Sequence, residues 1–253
     1  MELLALGCFG GETDTCRQTS LLIDGHLLLD AGSAATALTL EAQAAVDHIL
    51  ISHTHINHVA AVAFLADNLV GMRTTPIQVW SIPPVIQQLK AHLFNGILWP
   101  DFSVIPSPQH PILLFQALEE HRPQQVGAYQ VTAVRVPHPV EAAGYCVWDG
   151  AASILFQGDS GPTTAFWDLA NTAPDPRAVI VEASFPNRLD DLACLSGHLT
   201  PRLLQDELAK LTIDVPVYVQ HLKPRFRDEI VQELGKLSAP GVVPLEQGCR
   251  YTF

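Results

Sequence analysis

Charged side chains are scarce in this chain: Asp, Glu, Lys and Arg make up 16% of its 253 residues. Basic ones are scarcer still, 14 against 26 acidic, which leaves a formal net charge of −12. Such a chain repels a polyanion unless its cations gather on one face. The densest basic cluster in sequence is only "KPRFR", Lys223 to Arg227, so long nucleic acid is not an expected partner. Apolar runs long enough to span a membrane are missing too, and no membrane partner is expected. The opening "MELLALGCFGGE" lacks a basic leader and a small-residue cleavage pattern, and it reads as a first strand and not a signal peptide. Cysteine is present without pattern: Cys8, Cys16, Cys146, Cys194 and Cys249 are odd in number and show no CxxC spacing. Scattered free thiols suit a reducing compartment, and a cytoplasmic location is the expectation. No internal repeat or low-complexity tract interrupts the chain, and nothing in it specifies an oligomeric state.

What the chain does have is apolar patterning. Hydrophobic residues make up 48%, enough for a substantial core at this length. "ELLALGC" reads as a strand, and "TSLLIDGHLLLD" as two strands joined at Asp24-Gly25, a dipeptide suited to a tight hairpin turn. "VDHILIS" is a short continuous apolar run, as expected of a strand covered on both faces. From His58 onward Val59, Val62, Ala63, Ala66, Leu69 and Val70 recur at helical spacing. Residues 82–123 are Pro-rich and mixed, and read as a helical or loop insert. The second half restarts as β: "AYQVTAVRVPH", a hairpin "AGYCVWDGAASILFQGD" tipped by Asp149-Gly150, "RAVIVEASF" and "VPVYVQH". Thr200-Pro201 opens a helix as N-cap and first residue. A second helix from Pro224 carries Phe226, Ile230, Val231, Leu234 and Leu237 on one face, and "GCRYTF" closes the chain as a strand. Two β-rich halves, each with helices, predict a sheet-on-sheet core with helices outside.

The chemistry concentrates in "SHTHINH", where His53, His55 and His58 follow a buried strand and open a helix. Two imidazoles at i and i+2 on a turn can face one metal ion, with the third turned to a neighbouring point. Other ligand types end predicted strands: His138 after "VRVP", Asp159 after "ILFQG" and His221 after "VYVQ". Each taken separately could be an ordinary loop or turn residue. Together with the histidine string they place a set of nitrogen and oxygen donors on one sheet rim. Histidines 26, 48, 92, 110 and 121 lack this context.

These motifs resemble those of the metallo-β-lactamase superfamily, and the likeness covers nearly the whole chain in the right order. It implies an αββα sandwich, an α/β (α+β) fold, in a single domain over residues 1–253. It further implies that His53, His55 and His138 hold one divalent ion and His58 and His221 a second, with Asp159 bridging. The usual string has Asp where Asn57 stands, which makes Asn57 a neutral candidate ligand at the second ion. Within the superfamily, "VEASFPNRLDDLACLSGHLTPRLL", "LGCFGGE" and "HLFNGILWPDFS" are similar to regions of class II cyclic-nucleotide phosphodiesterases. By analogy with tRNA 3′-processing endonucleases of the same superfamily, Glu182 and His198 form an acid-base pair.

The resemblance therefore implies two divalent metal ions, zinc in the first place, since His and Asp donors suit manganese and iron as well. The expected reaction is the opening of a 3′,5′-cyclic nucleotide, a small-molecule substrate, by a metal-bound hydroxide. His198, oriented by Glu182, gives a proton to the departing ribose oxygen, and Asp159 belongs to the catalytic set. The competing expectations are an RNA 3′-end phosphodiesterase, a lactone or thioester hydrolase, and a non-catalytic nucleotide-binding protein with a decayed metal site.

Overall fold

Short apolar runs in both halves of the chain pair into sheets, as their β-branched and aliphatic content favours. The computed structural model describes residues 1–239 and 241–253. In chain order the strands are β1 (Glu2–Gly7), β2 (Ser20–Ile23), β3 (Leu27–Leu29), β4 (His48–Leu50), β5 (Ile77–Ser81), β6 (Pro106–Ser107), β7 (His110–Pro111) and β8 (Leu113–Ala117). The second half adds β9 (Gln124–Val126), β10 (Tyr129–Arg135), β11 (Ala143–Trp148), β12 (Ser153–Phe156), β13 (Pro176–Glu182), β14 (Val217–Gln220), β15 (Val242–Pro244) and β16 (Arg250–Thr252). One seven-stranded sheet has the order β16-β1-β2-β3-β4-β5-β8, the other β15-β14-β13-β12-β11-β10-β9, and β6 pairs with β7 alone. Both sheets are mixed. β3, β4, β5 and β8 are parallel to one another, and so are β12, β13, β14 and β15.

Local chemistry accounts for the elements that position the site. Asp24 and Gly25 both take positive φ, 48° and 78°, in the tight turn between β2 and β3 that the His26 N–H closes by donating to Ile23 O at 3.0 Å. β2 and β3 are buried at every position, and apart from Ser20, whose hydroxyl is hydrogen-bonded, their side chains are apolar on both faces. The helix Ile56–Asn68 buries His58, Val59, Val62, Ala63, Leu65 and Ala66, with Ile56 and Phe64 on its exposed side. Thr200 caps the helix Pro201–Leu208 by accepting from the Leu203 N–H. One contiguous core cluster draws on both sheets, with Leu3, Ile23, Leu29 and Ile49 from the first and Tyr145, Ile154, Phe156 and Ile180 from the second. Each such side chain contributes about 1.5–3 kcal/mol by leaving water.

Residues 82–123 hold the short helix Pro83–Gln88, a turn of π-helix at Leu89–Leu93, the β6–β7 pair and a strand. That strand, β8, lies parallel to β5 at the sheet edge, from Ile77↔Leu113 to Ser81↔Ala117. The helical or loop reading of this stretch misses it, because only Leu113 in β8 is fully buried and the pattern is set by its neighbour. Among the described residues no helix is long and apolar enough to cross a membrane.

The two sheets are joined at one edge by backbone hydrogen bonds. The Ala143 N–H donates to Ser52 O at 2.9 Å, and the His221 N–H to Cys8 O at 2.7 Å. The C-terminal ends of the parallel strands of both sheets open onto that edge.

Candidate metal centre

Six strand ends deliver the site. β3 leads directly into Asp30, β4 into Ser52 and His53, β10 into His138, β12 into Asp159, β13 ends on Glu182, and β14 leads into His221. His55 is the N-cap residue of the helix Ile56–Asn68, which puts Asn57 and His58 in its first turn. Two backbone positions carry unusual torsions for side-chain-bearing residues, Asp30 at φ 55° and His221 at φ 61°. Such left-handed residues persist where surrounding contacts hold them, commonly at functional sites. Glycine is required before Asp159: Gly158 has φ 69°, and a Cβ there would lie 2.7 Å from the Ser52 Cβ.

All nine residues singled out from sequence come together in this cluster. His58 donates from Nδ1 to Asp30 Oδ2 at 2.7 Å, so its Nε2 faces Asp159 Oδ2 and His221 Nε2, each at 3.2 Å. His221 Nε2 is also 3.2 Å from Asp159 Oδ2 and 2.9 Å from the Asn57 amide nitrogen. The ring of His53 bonds Ser52 Oγ through Nδ1 at 3.0 Å and turns Nε2 toward Asp159 Oδ2, 3.7 Å away. His138 donates from Nδ1 to Gly197 O at 3.0 Å and places Nε2 3.1 Å from His55 Nδ1. His198 Nδ1 meets Glu182 Oε1 at 2.9 Å. The His198 ring lies 5.2 Å from that of His138 and 5.3 Å from that of His221.

Three further residues take part that the sequence reading did not single out. Asp30 accepts from His58, the Ser52 N–H and Ser52 Oγ. Ser52 links that carboxylate to His53. Ser184 Oγ lies 2.8 Å from both Glu182 Oε2 and His221 Nδ1. These contacts occupy the outward nitrogens of His53, His58 and His221 and turn the inward ones toward Asp159, the pattern by which proteins orient metal-ligating imidazoles. Asp30 did carry a sequence signal, since "HLLLD" ends an apolar strand on a carboxylate as "ILFQGD" does.

Burial and charge set the protonation states. Burial holds His53 and His221 well below the usual histidine range and lowers His55, and it brings His138 down to about 4. His58 goes the other way. Burial alone would lower it, but the carboxylates of Asp159 and Asp30 outweigh that and raise it to about 10. Asp159, despite a burial that favours its neutral form, is held well below the carboxylate range by His221 and His58. His198 is likewise raised by Glu182 against the effect of burial.

The donors present fit a divalent metal ion. His53 Nε2 and Asp159 Oδ1 are buried polar atoms with no hydrogen-bond partner among the described residues, and Nε2 of His53 is turned toward Asp159 Oδ2. Four overlapping triads bring ligand atoms within 4.8 Å of one another: His53-His55-His138, His53-His58-Asp159, His138-Asp159-His198 and Glu182-His198-His221. Imidazole and carboxylate donors of this kind suit zinc, manganese or iron.

Comparison with known proteins agrees with this geometry. Residues 22–219 match the Beta-lactamase superfamily domain. The 3′,5′-cyclic-nucleotide phosphodiesterase 1 of Saccharomyces cerevisiae is 24% identical over 195 residues, 68% of this chain and 53% of the yeast protein. The match thus spans about half the length of that relative. A 3′,5′-cyclic-nucleotide phosphodiesterase of Schizosaccharomyces pombe is 23% identical over 276 aligned positions, 85% of this chain and 76% of the relative. The crystal structure of unliganded yeast PDE1 superposes with a TM-score of 0.85 at 18% identity over 98% of each chain, which shows a shared fold.

Proposed function

This chain belongs to the beta-lactamase superfamily, and we propose that it is a metal-dependent phosphodiesterase that opens a 3′,5′-cyclic nucleotide. The reading rests on one observation above the rest: the buried His198–Glu182 pair stands beside the donor cluster, 2.9 Å apart. Two fungal relatives named as 3′,5′-cyclic-nucleotide phosphodiesterases support the same substrate class.

In this reading His53, His55 and His138 would hold one divalent ion, and His58 and His221 the second, with Asp159 shared and Asn57 beside it. Such ions supply an activated water at neutral pH and neutralise charge that develops on the phosphoryl oxygens. The chain's own residues handle the leaving group. Glu182 accepts from His198 Nδ1, which fixes the ring and favours its protonated form. Nε2 is then the nitrogen left to deliver a proton to the departing ribose oxygen. An alkoxide is a poor leaving group, so a proton donor speeds this step strongly. Opening a lactone or thioester makes less demand on such a donor and leaves the pair without a task. An RNA-end substrate is disfavoured by the net charge of −12.

A substrate panel tests the proposal: cyclic nucleotides, a linear diester, a tRNA precursor and lactones, each with zinc, manganese or iron. Turnover of cyclic nucleotides above the other classes is expected. Faster turnover of the tRNA precursor or the lactones would replace the proposed substrate class, and nucleotide binding without metal or turnover would make the chain a binding protein.

A further inference from the structure

In a chain of net charge −12, with Asp30, Asp159 and Glu182 buried at the site, an anionic diester needs a local cation besides any bound ion. Lys223 stands two residues past His221. Its Nζ donates to Gly10 O at 2.8 Å and lies 6.0 Å from the centre of the Phe185 ring. Both neighbours touch the site. The Phe185 ring is 5.8 Å from that of His198, and a Cβ on Gly10 would fall 2.8 Å from His221 Nδ1. The ammonium is therefore held beside both His221 and His198, and its charge acts on these two rings and on His55.

An ammonium has three donors, and among the described residues Lys223 commits one, to a neutral carbonyl. Other cations nearby are neutralised: Arg188 is paired with Glu229 through two nitrogens, and Arg202 with Asp190. Arg225 and Arg227, by contrast, lie over the rings of Phe226 and Phe9 and form no ion pair among the described residues. Lys223 is thus a cation with no acidic partner among the described residues, beside the rings of His221 and His198.

We propose that Lys223 binds the non-bridging phosphate oxygens of the substrate, an inference that rests on the phosphodiesterase reading. Its two free donors and fixed position make it the anion contact on the side of the site where His198 acts.

The test measures KM and kcat of Lys223→Gln and Lys223→Arg with cyclic AMP and with bis-p-nitrophenyl phosphate, at low and high salt. Both diesters carry one negative charge, so Lys223→Gln is expected to raise KM about ten-fold or more for each, with a smaller change in kcat. Lys223→Arg is expected to recover most of the loss, and the glutamine variant to lose most of the salt dependence of KM. An unchanged KM for both diesters in Lys223→Gln would overturn the assignment. A fall in kcat at constant KM would also overturn it, and would make Lys223 a support for the Gly10 loop. Turnover of bis-p-nitrophenyl phosphate without any turnover of cyclic nucleotides would sink the substrate class alone, because the KM effect on the simple diester still decides the role of Lys223.

Discussion

His53, His55 and His138 meet as imidazoles backed by a hydroxyl and a carbonyl, whereas His58 meets His221 between the carboxylates of Asp30 and Asp159. The outer partner of His53 is Ser52 Oγ, and that of His138 is Gly197 O. His58 instead leans on Asp30 and faces Asp159, both buried. The consequence is a difference in protonation. The first group is stripped of its protons by burial, with His138 brought down to about 4, and so is His221, while His58 alone of the five is pushed up to about 10. His53 and His58, five positions apart in sequence, are set to opposite states by what stands behind them. A metal entering the first group has no imidazolium to discharge at pH 7. One entering the second must displace the proton of His58.

The strongest way to break the comparison is to remove what both groups share. Asp159 lies 3.7 Å from His53 and 3.2 Å from His58 and His221. Asp159→Ala is expected to cost about 10³-fold or more in turnover and to empty both groups of metal. His55→Ala, at a partly exposed position, should abolish hydrolysis and release metal while the fold persists. Metal analysis showing undiminished occupancy would remove His55 from the site. Next in size is His198→Ala, expected to slow a diester with an alkoxide leaving group by about 10²–10⁴-fold and a nitrophenyl diester far less. Glu182→Gln should show the same selectivity more weakly. Equal slowing of both substrates would mean that His198 shapes the pocket instead.

Asp30→Asn separates the two groups. The loss of a carboxylate behind a ligating histidine typically costs 10–100-fold in metal affinity, and here the larger loss should fall on the His58 group, which Asp30 contacts directly, and a smaller one on His53, which it reaches through Ser52. The pH dependence makes the same cut. Affinity of the His58 group should rise about ten-fold per pH unit from neutrality up to the His58 value of about 10, and that of the His53 group, whose histidines are all lowered, should change far less over the same interval. Calorimetry in buffers of different ionisation enthalpy counts the protons released. In metal-free protein the raised pKa of His58 stabilises the fold fully below the ordinary histidine value of about 6.5. That stability is lost as pH rises through about 10, so melting without metal should fall over that interval. Equal proton release from the two groups would contradict the assignment.

The sandwich and the strand-tip histidines could be read from the chain because each rests on local signals. Apolar runs of strand length end on ligand-type residues, and the string "SHTHINH" opens a helix whose buried face recurs every three or four residues. Asp30 escaped notice for a different reason. Its meaning depends on β3 lying parallel to β4, a pairing between segments some twenty residues apart that no local pattern announces. Ser184 is hidden in the same way, since it matters only once β13 and β14 are neighbours. Glu182 and His198 are 16 residues apart and meet because the chain from Ala183 to Gly197 returns to the rim, where the Ser184 N–H donates to Leu199 O at 3.0 Å. Only family resemblance brought that pair forward. β8 was missed because an edge strand takes its stability from the neighbour it pairs with, here β5, more than from its own sequence.

The smallest expected effect concerns Asn57, the position where the histidine string departs from the superfamily pattern. Its amide nitrogen lies 2.9 Å from His221 Nε2, the atom that also faces Asp159 and His58. A half-turn of the amide brings its oxygen to the same point, so the side chain reaches the His58 group as a neutral donor. That group already concentrates two buried carboxylates, Asp30 and Asp159, around one imidazolium. A third carboxylate from Asn57→Asp should tighten metal binding there several-fold, because a divalent ion gains more from a full charge than from an amide dipole. The same charge opposes an anionic diester, so KM should rise as metal affinity improves. The His53 group, whose nearest carboxylate is Asp159, should be unaffected. Titration of metal-free Asn57→Asp with zinc or manganese checks this, and two affinities identical to those of the unsubstituted protein would place Asn57 outside the set of ligands.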